Sequence, residues 1–218
     1  MRAFNYQKSK AVDNSNPESP VFFVTEDSST GAIRRVQTYA NGWDSLHKSD
    51  GGVTTYLRII DDEYFEWTSS ISAGRRSAEL HYPNSEGIVY HKGKLFFTAK
   101  TEKTFFILDL QDMTYTKEWT GELFSGRGSF TAEPDQIMLG ANYQYMYFCE
   151  DGGEKPGVYM RDLDGTYYTL FRGIPYGELD GDETVGLQLS PDGTKLYSGF
   201  QDTGVLLEFS RDDGLQFD

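Results

Sequence analysis

The stretch Leu95–Thr101, with the sequence LFFTAKT, decides the fold because similar strand-like runs recur along the chain. Three other runs share its form, aromatic and apolar residues followed by a polar end: Phe22–Asp27 (FFVTED), Tyr147–Asp151 (YFCED) and Leu196–Asp202 (LYSGFQD). Runs ending at residues 101, 151 and 202 are spaced 50 and 51 residues apart. A repeat of roughly 40 to 50 residues, with about four strands in each unit, is typical of β-propeller blades.

The composition also favours strands joined by tight turns. Aromatic residues make up 15% of the 218 residues, and 23 glycines are spread along the chain. Apolar segments with the helical period are scarce. We therefore predict an all-β fold, either a β-propeller of about four blades or a segment of a larger propeller.

The repeat predicts a single propeller domain or segment that spans residues 1–218. Its parts are, in chain order, a polar lead-in (1–20), an irregular blade that carries an insertion (40–84) and three more regular blades (85–121, 134–173 and 183–209). We expect the insertion to be an exposed loop at Ser69–Ser77.

The last blade has no predicted fourth strand. Residues 1–12 would supply that strand if the chain closes into a ring, and otherwise the chain is an open arc.

The charge of the chain limits the classes of molecule that it can bind. The formal net charge is −14 and the isoelectric point is about 4.6, so the electrostatic field repels nucleic acid and anionic lipid surfaces. No stretch is long and apolar enough to be inserted into a membrane. Clustered carboxylates favour calcium as a partner, although acidity alone also serves to keep a surface soluble.

The sequence leaves the compartment open. The single cysteine, Cys149, excludes an intrachain disulfide and lies in an aromatic run, where a buried and inert thiol is expected. Residues 1–20 lack the apolar core of a secretory signal. A signal upstream of a truncated chain would make the protein secreted.

Five short motifs follow one another along the chain: Phe22–Gly31, Asn84–Ile88, Pro134–Ile137, Tyr147–Gly153 and Glu183–Gly193. In their order and spacing they resemble the PhoX-type alkaline phosphatases and their uncharacterised relatives. They cover the chain from about residue 20 to its end and are similar to the later part of the family's propeller. The resemblance implies a calcium- and iron-dependent phosphomonoesterase that acts on a phosphate ester. The upstream half of such a propeller has no counterpart here, and no catalytic residue is identified.

Three acidic residues are the first candidates for metal ligands. Glu86 opens the first strand of its blade, Glu183 opens the equivalent strand of the last blade, and Asp135 lies at the same place between them. Because first strands of blades line a central channel, these carboxylates are expected to converge on calcium, which takes six to eight oxygen ligands. By resemblance, Glu86 and Glu183 also fall on the family's metal-site motifs. The competing interpretation is that such carboxylates accept backbone N–H bonds at strand starts.

Glu150 and Asp151 complete the set of candidate metal ligands. Asp151 ends a strand just before a hairpin, where an aspartate commonly hydrogen-bonds the backbone two residues on.

The sequence leaves two functions from different classes open. One is a phosphate-ester hydrolase that uses calcium and iron, and the other is a non-catalytic, calcium-stabilised propeller that binds or assembles with a protein partner.

Overall fold

The computed structural model describes residues 10–39, 52–121, 130, 132–173 and 182–217. The chain divides into two compact units, residues 1–117 and 118–218, and the boundary falls inside a strand. Among the described residues no helix is long and apolar enough to span a bilayer.

The strands before the boundary form two sheets, in which each strand lies beside the one that follows it. The first sheet has five strands, β1 (Lys10–Asp13), β2 (Val21–Val24), β3 (Arg34–Thr38), β4 (Gly52–Ile59) and β5 (Phe65–Thr68). Helix α1 (Ile71–His81) follows. The second sheet has four strands, β6 (Ser85–His91), β7 (Lys94–Ala99), β8 (Thr104–Asp109) and β9 (Thr114–Trp119). Strand β1 lies against β6, so the first strands of the two sheets are neighbours.

The second unit repeats this arrangement. One sheet has four strands, β10 (Glu133–Leu139), β11 (Tyr145–Asp151), β12 (Gly157–Asp162) and β13 (Tyr167–Arg172). The other has three, β14 (Thr184–Leu189), β15 (Lys195–Phe200) and β16 (Val205–Ser210). Here too first strands are neighbours, because β14 lies against β10 and β11. The prediction of an all-β fold built from short antiparallel sheets is confirmed.

Aromatic side chains fill the core of each unit. In the first unit the rings of Phe97 and Phe106 stack with their centroids 4.7 Å apart, and both residues are buried. In the second unit Phe171 stacks on Phe209 at 4.6 Å, which joins the two sheets of that unit. Stacked pairs of this kind add about 0.5–1.5 kcal/mol to the free energy gained from burying their area.

Helix α1 replaces the loop that was predicted at residues 69–77, so that prediction was wrong. Ser70 caps the helix, since its hydroxyl accepts a hydrogen bond from the backbone N–H of Ala73 at 3.3 Å. The helix buries only small residues, and a Cβ added to Gly74 would lie 2.5 Å from the Cβ of Tyr56 on β4. Just after the helix, the buried Tyr82 donates a hydrogen bond to the carbonyl of Leu57 at 2.6 Å and so fixes the helix end to the sheet.

The start of the chain pairs within the first sheet. Residues 10–13 form β1, in which Lys10 lies opposite Val24 and Asp13 opposite Val21. Residues 10–12 therefore belong to the first sheet and do not supply a fourth strand to the last one. Residues 1–9 and 40–51 lie outside the described residues.

Candidate functional site

The first strand of three sheets contains a β-bulge close to its start. In β6 Glu86 and Gly87 together oppose Thr98, and in β10 Asp135 and Gln136 together oppose Cys149. The third bulge, in β14, begins at Gly186, whose φ of +67° suits a residue without a Cβ. Bulges are common beside functional sites because they redirect a side chain out of the regular alternation. Two of the five predicted acidic ligands, Glu86 and Asp135, thus occupy corresponding positions in their sheets.

Glu86 is fully buried and faces a positive charge. Its side chain is 0% exposed, and the Nζ of Lys100 lies 3.6 Å from its Oε1. The Lys100 side chain is itself only 13% exposed. The hydroxyl of Thr25, at the end of β2, donates a hydrogen bond to the backbone carbonyl of Glu86. A buried carboxylate is stabilised by a cation and by hydrogen bonds, and Lys100 supplies the first of these.

Asn84 connects the motifs around residues 22–31 and 84–88. Its side-chain amide donates to the carboxylate of Asp27 at 2.9 Å and accepts from the hydroxyl of Thr101 at 3.0 Å. Its backbone N–H donates to the carbonyl of Ser28 at 3.1 Å, and its carbonyl accepts from the N–H of Lys100 at 3.0 Å. Asn84 therefore positions the chain immediately before Glu86. Asn84 begins the motif at residues 84–88, but its sequence context alone predicted no role for it.

Asp135 lies in the second unit and is 2% exposed. The buried thiol of Cys149 is its neighbour across the bulge. Burial raises the pKa of that thiol, and the charge of Asp135 raises it further, so Cys149 is a neutral thiol at physiological pH. This agrees with the prediction that Cys149 is inert.

Glu150 is buried on β11, and donors from its own unit surround its carboxylate. The backbone N–H of Ala132 donates to one oxygen, while the N–H of Gly157 (3.1 Å) and the hydroxyl of Tyr159 (2.9 Å) donate to the other. The backbone N–H of Glu150 donates to the hydroxyl of Thr184, on β14, at 2.9 Å. Glu150 thus ties β12 and the segment before β10 to β11, a structural arrangement that the sequence alone did not predict.

The remaining predicted ligands lie at strand ends. Asp151 is the last residue of β11, is half-buried and pairs with Glu133. Glu183 is half-buried and directly precedes β14, so it lies three residues before the bulge at Gly186 and not within it. The carbonyl of Glu183 accepts a hydrogen bond from the N–H of Gln201 at 3.1 Å.

Asp182 was not predicted as a site residue from the sequence, but its carboxylate binds the backbone of the turn after β15. Its carboxylate accepts from the backbone N–H groups of Glu183 and Asp202 at 2.8 Å each and of Thr203 at 3.1 Å. Burial alone would favour the neutral acid, but these hydrogen bonds outweigh burial and lower the pKa of Asp182 below its ordinary value. The carboxylate is therefore ionised and held by the backbone.

Whether a residue fits a calcium ion depends on its oxygen atoms and on the hydrogen bonds that these atoms already accept. Glu86 and Asp135 offer hard oxygen ligands from bulged strands, and calcium prefers such ligands. The oxygens of Glu150 and Asp182 already accept hydrogen bonds from protein donors. In the part of the chain that the structure describes, no cluster of three or more His, Cys, Asp or Glu side chains has the geometry of a metal site. Glu86 belongs to the first unit, and the other four predicted ligands belong to the second.

The sequence comparisons return no relatives. No protein-family model matches the chain, and no curated protein matches it in sequence.

Solved structures match the chain in fold. The PhoX phosphatase of Pseudomonas fluorescens, solved in complex with vanadate, matches with a TM-score of 0.66 and 13% identity, over 95% of this chain and 53% of PhoX. The periplasmic gluconolactonase PpgL of Pseudomonas aeruginosa matches with a TM-score of 0.56 and 14% identity, over 95% of this chain and 55% of PpgL. A chain of a nidogen–laminin complex matches with a TM-score of 0.51 and 15% identity, over 97% of this chain and 78% of its own length. This chain thus spans about half the length of PhoX and of PpgL, and the likeness shows a β-propeller fold.

Proposed function

We propose that the chain is a calcium-binding propeller in which Glu86 and Asp135 supply ligands, and that the protein hydrolyses phosphate esters. One observation carries the proposal: two carboxylates, 0% and 2% exposed, lie in the bulges of first strands. Two buried anions in a chain of net charge −14 are costly unless cations face them. A divalent ion with oxygen ligands offsets that cost.

The phosphatase part of the proposal is supported by the resemblance of the motifs to PhoX-type proteins and by the fold match to PhoX. A calcium ion at such a site would polarise a phosphoryl oxygen when substrate binds. Glu86 in the first unit and Asp135 in the second would each be a calcium ligand, and Lys100 would hold Glu86 in its ionised form. Iron, which the resemblance also implies, is part of the proposal for the whole protein and has no assigned ligand in this chain.

A second function is favoured by the contact between Glu86 and Lys100. The ammonium already balances the carboxylate at 3.6 Å, which suits a structural role as well as a ligand role. In that case the chain is a non-catalytic propeller that binds or assembles with a protein partner, with or without calcium.

The two functions are separated by measuring metal content and activity on the same purified protein. Elemental analysis reports bound calcium and iron, and a chromogenic phosphate monoester reports turnover. Calcium together with turnover supports the hydrolase, while calcium without turnover supports the binding propeller. Protein without calcium, and without any change in stability on calcium addition, would overturn the calcium proposal in both forms.

A further inference from the structure

Glu86 is both a proposed calcium ligand and the partner of a buried ammonium. The Nζ of Lys100 lies 3.6 Å from the Oε1 of Glu86, which is longer than the roughly 2.7–2.9 Å of a charge-assisted hydrogen bond. A calcium ion binds a carboxylate oxygen at about 2.3–2.6 Å. Calcium and the ammonium would thus lie close to the same buried carboxylate, where little water screens the repulsion between two cations.

The backbone of Lys100 is fixed, whereas its side chain can move. Its N–H donates to the carbonyl of Asn84 at 3.0 Å, and its carbonyl accepts from the N–H of Lys103 at 2.9 Å. The Lys100 side chain is 13% exposed and that of Glu86 is 0% exposed, so only the lysine borders on solvent. A lysine carries its charge on a flexible four-carbon chain. The ammonium can therefore leave Glu86 while the backbone stays in place.

We propose that Lys100 is the internal cation of the Glu86 site and that calcium displaces its ammonium. This exchange rests on the proposed function, in which Glu86 is a calcium ligand. Without calcium, the ion pair balances the buried carboxylate and keeps the protein folded. When calcium binds, the divalent ion balances the carboxylate, and the ammonium moves toward solvent because two cations at one buried carboxylate repel each other.

The exchange lowers the apparent affinity for calcium. Only molecules in which the ammonium has left Glu86 bind the ion, so the apparent dissociation constant is the intrinsic constant divided by the fraction of such molecules. A fraction of about one in ten makes the apparent affinity about tenfold weaker. Lys100 thus sets the calcium concentration at which the site fills.

Calorimetric titration with calcium tests the exchange in wild type and three variants. Lys100→Met removes the competing charge and should bind calcium about tenfold more tightly than wild type, or better. Lys100→Arg keeps the charge and contacts a carboxylate through two hydrogen bonds, so it should bind calcium more weakly than wild type. Lys94→Met is the matched control, because it removes the same charge at the start of β7, from a partly exposed pair with Asp109 at 3.8 Å. Its affinity should stay within about twofold of wild type.

Thermal unfolding with and without calcium gives a second readout. Calcium should raise the unfolding temperature of Lys100→Met more than that of wild type or Lys94→Met, because stabilisation grows with the ratio of calcium concentration to dissociation constant. If Lys100→Met is unfolded without calcium, folding on calcium addition supports the exchange. Lys100→Arg measures the effect on affinity independently of that variant.

The titration separates failure of the exchange from failure of the proposed function. If wild type binds calcium and Lys100→Met binds it equally well or more weakly, Lys100 does not compete and the exchange is wrong, while calcium binding by the protein stands. Lys100→Arg that binds calcium as tightly as wild type, or more tightly, would also overturn the exchange. Wild type that binds no calcium would overturn the calcium proposal and the exchange together.

Discussion

The ammonium of Lys100 lies 3.6 Å from the carboxylate of Glu86, and the two charges form an ion pair inside the first unit. Glu86 sits in the bulge of β6, and Lys100 directly follows β7, the neighbouring strand. The pair thus connects the candidate ligand to the strand beside it. Because this ion pair is buried, breaking it should lower the free energy of unfolding more than breaking an exposed ion pair does.

Removing Lys100 should be costly because it leaves a buried anion without this cation. Lys100→Met is expected to lower the free energy of unfolding by about 3–5 kcal/mol, and Glu86→Gln/Lys100→Met should recover most of that loss. Arg58→Met is the control, since Arg58 and Glu66 form an exposed pair at 2.8 Å, for which we expect a loss below about 1 kcal/mol. Urea unfolding measures all three variants. Equal losses in Lys100→Met and Arg58→Met would show that the Glu86 pair is not buried as described.

Glu150 is expected to act on stability independently of calcium. Glu150→Gln replaces one accepting oxygen with a donor among three protein donors, and should lower the free energy of unfolding by about 1–3 kcal/mol. Tyr159→Phe removes one of these hydrogen bonds and should cost about 1 kcal/mol. Both losses should be the same with and without calcium. A loss that appears only when calcium is present would identify Glu150 as a ligand instead.

Asp182 should make the protein sensitive to acid. Its pKa is lower in the folded chain than its ordinary value of 3.8, so its contribution is complete above that value. The contribution is lost as the pH falls through the folded pKa. Asp182→Asn should therefore cost about 1–3 kcal/mol at pH 7 and progressively less below about pH 4. Asp212→Asn, at an exposed position, is the control. A difference between wild type and Asp182→Asn that stays constant down to pH 2 would contradict this role.

Helix α1 can be tested at its closest contact with the sheet. Alanine favours helix more than glycine does, yet Gly74→Ala should destabilise the protein by about 1–3 kcal/mol, because its Cβ would meet Tyr56 at 2.5 Å. Ser72→Ala, on the exposed side of the same helix, should be neutral or slightly stabilising. Thermal unfolding distinguishes the two. Stabilisation by both substitutions would mean that α1 does not pack on β4 through Gly74.

The sheets could be predicted from the sequence because their strands recur at a nearly constant spacing, as Leu95–Thr101 and Leu196–Asp202 illustrate. Helix α1 could not, because it packs through Gly74, Ser77 and Ala78, and small residues leave no apolar period. Its Arg75 and Arg76 are exposed and made the segment look like a loop.

The candidate site was predictable only in part. Glu86 and Asp135 stand in motifs at the starts of strands, so their positions followed from the repeat. The contact of Lys100 with Glu86 depends on the register between β6 and β7 and on the bulge, which no local pattern encodes. The three donors of Glu150 likewise come from separate segments that the fold brings together.

Calcium titration by calorimetry tests the central claim most directly, with four proteins: wild type, Asp135→Asn, Glu86→Gln/Lys100→Met and the exposed-pair control Glu66→Gln/Arg58→Met. The proposal predicts saturable calcium binding in wild type and in the control. It also predicts affinity weaker by about tenfold or more, equivalent to about 1.4 kcal/mol, in Asp135→Asn and in Glu86→Gln/Lys100→Met. Wild type that binds no calcium, or four proteins that bind it equally well, would contradict the claim that the buried carboxylates of the bulged strands are calcium ligands.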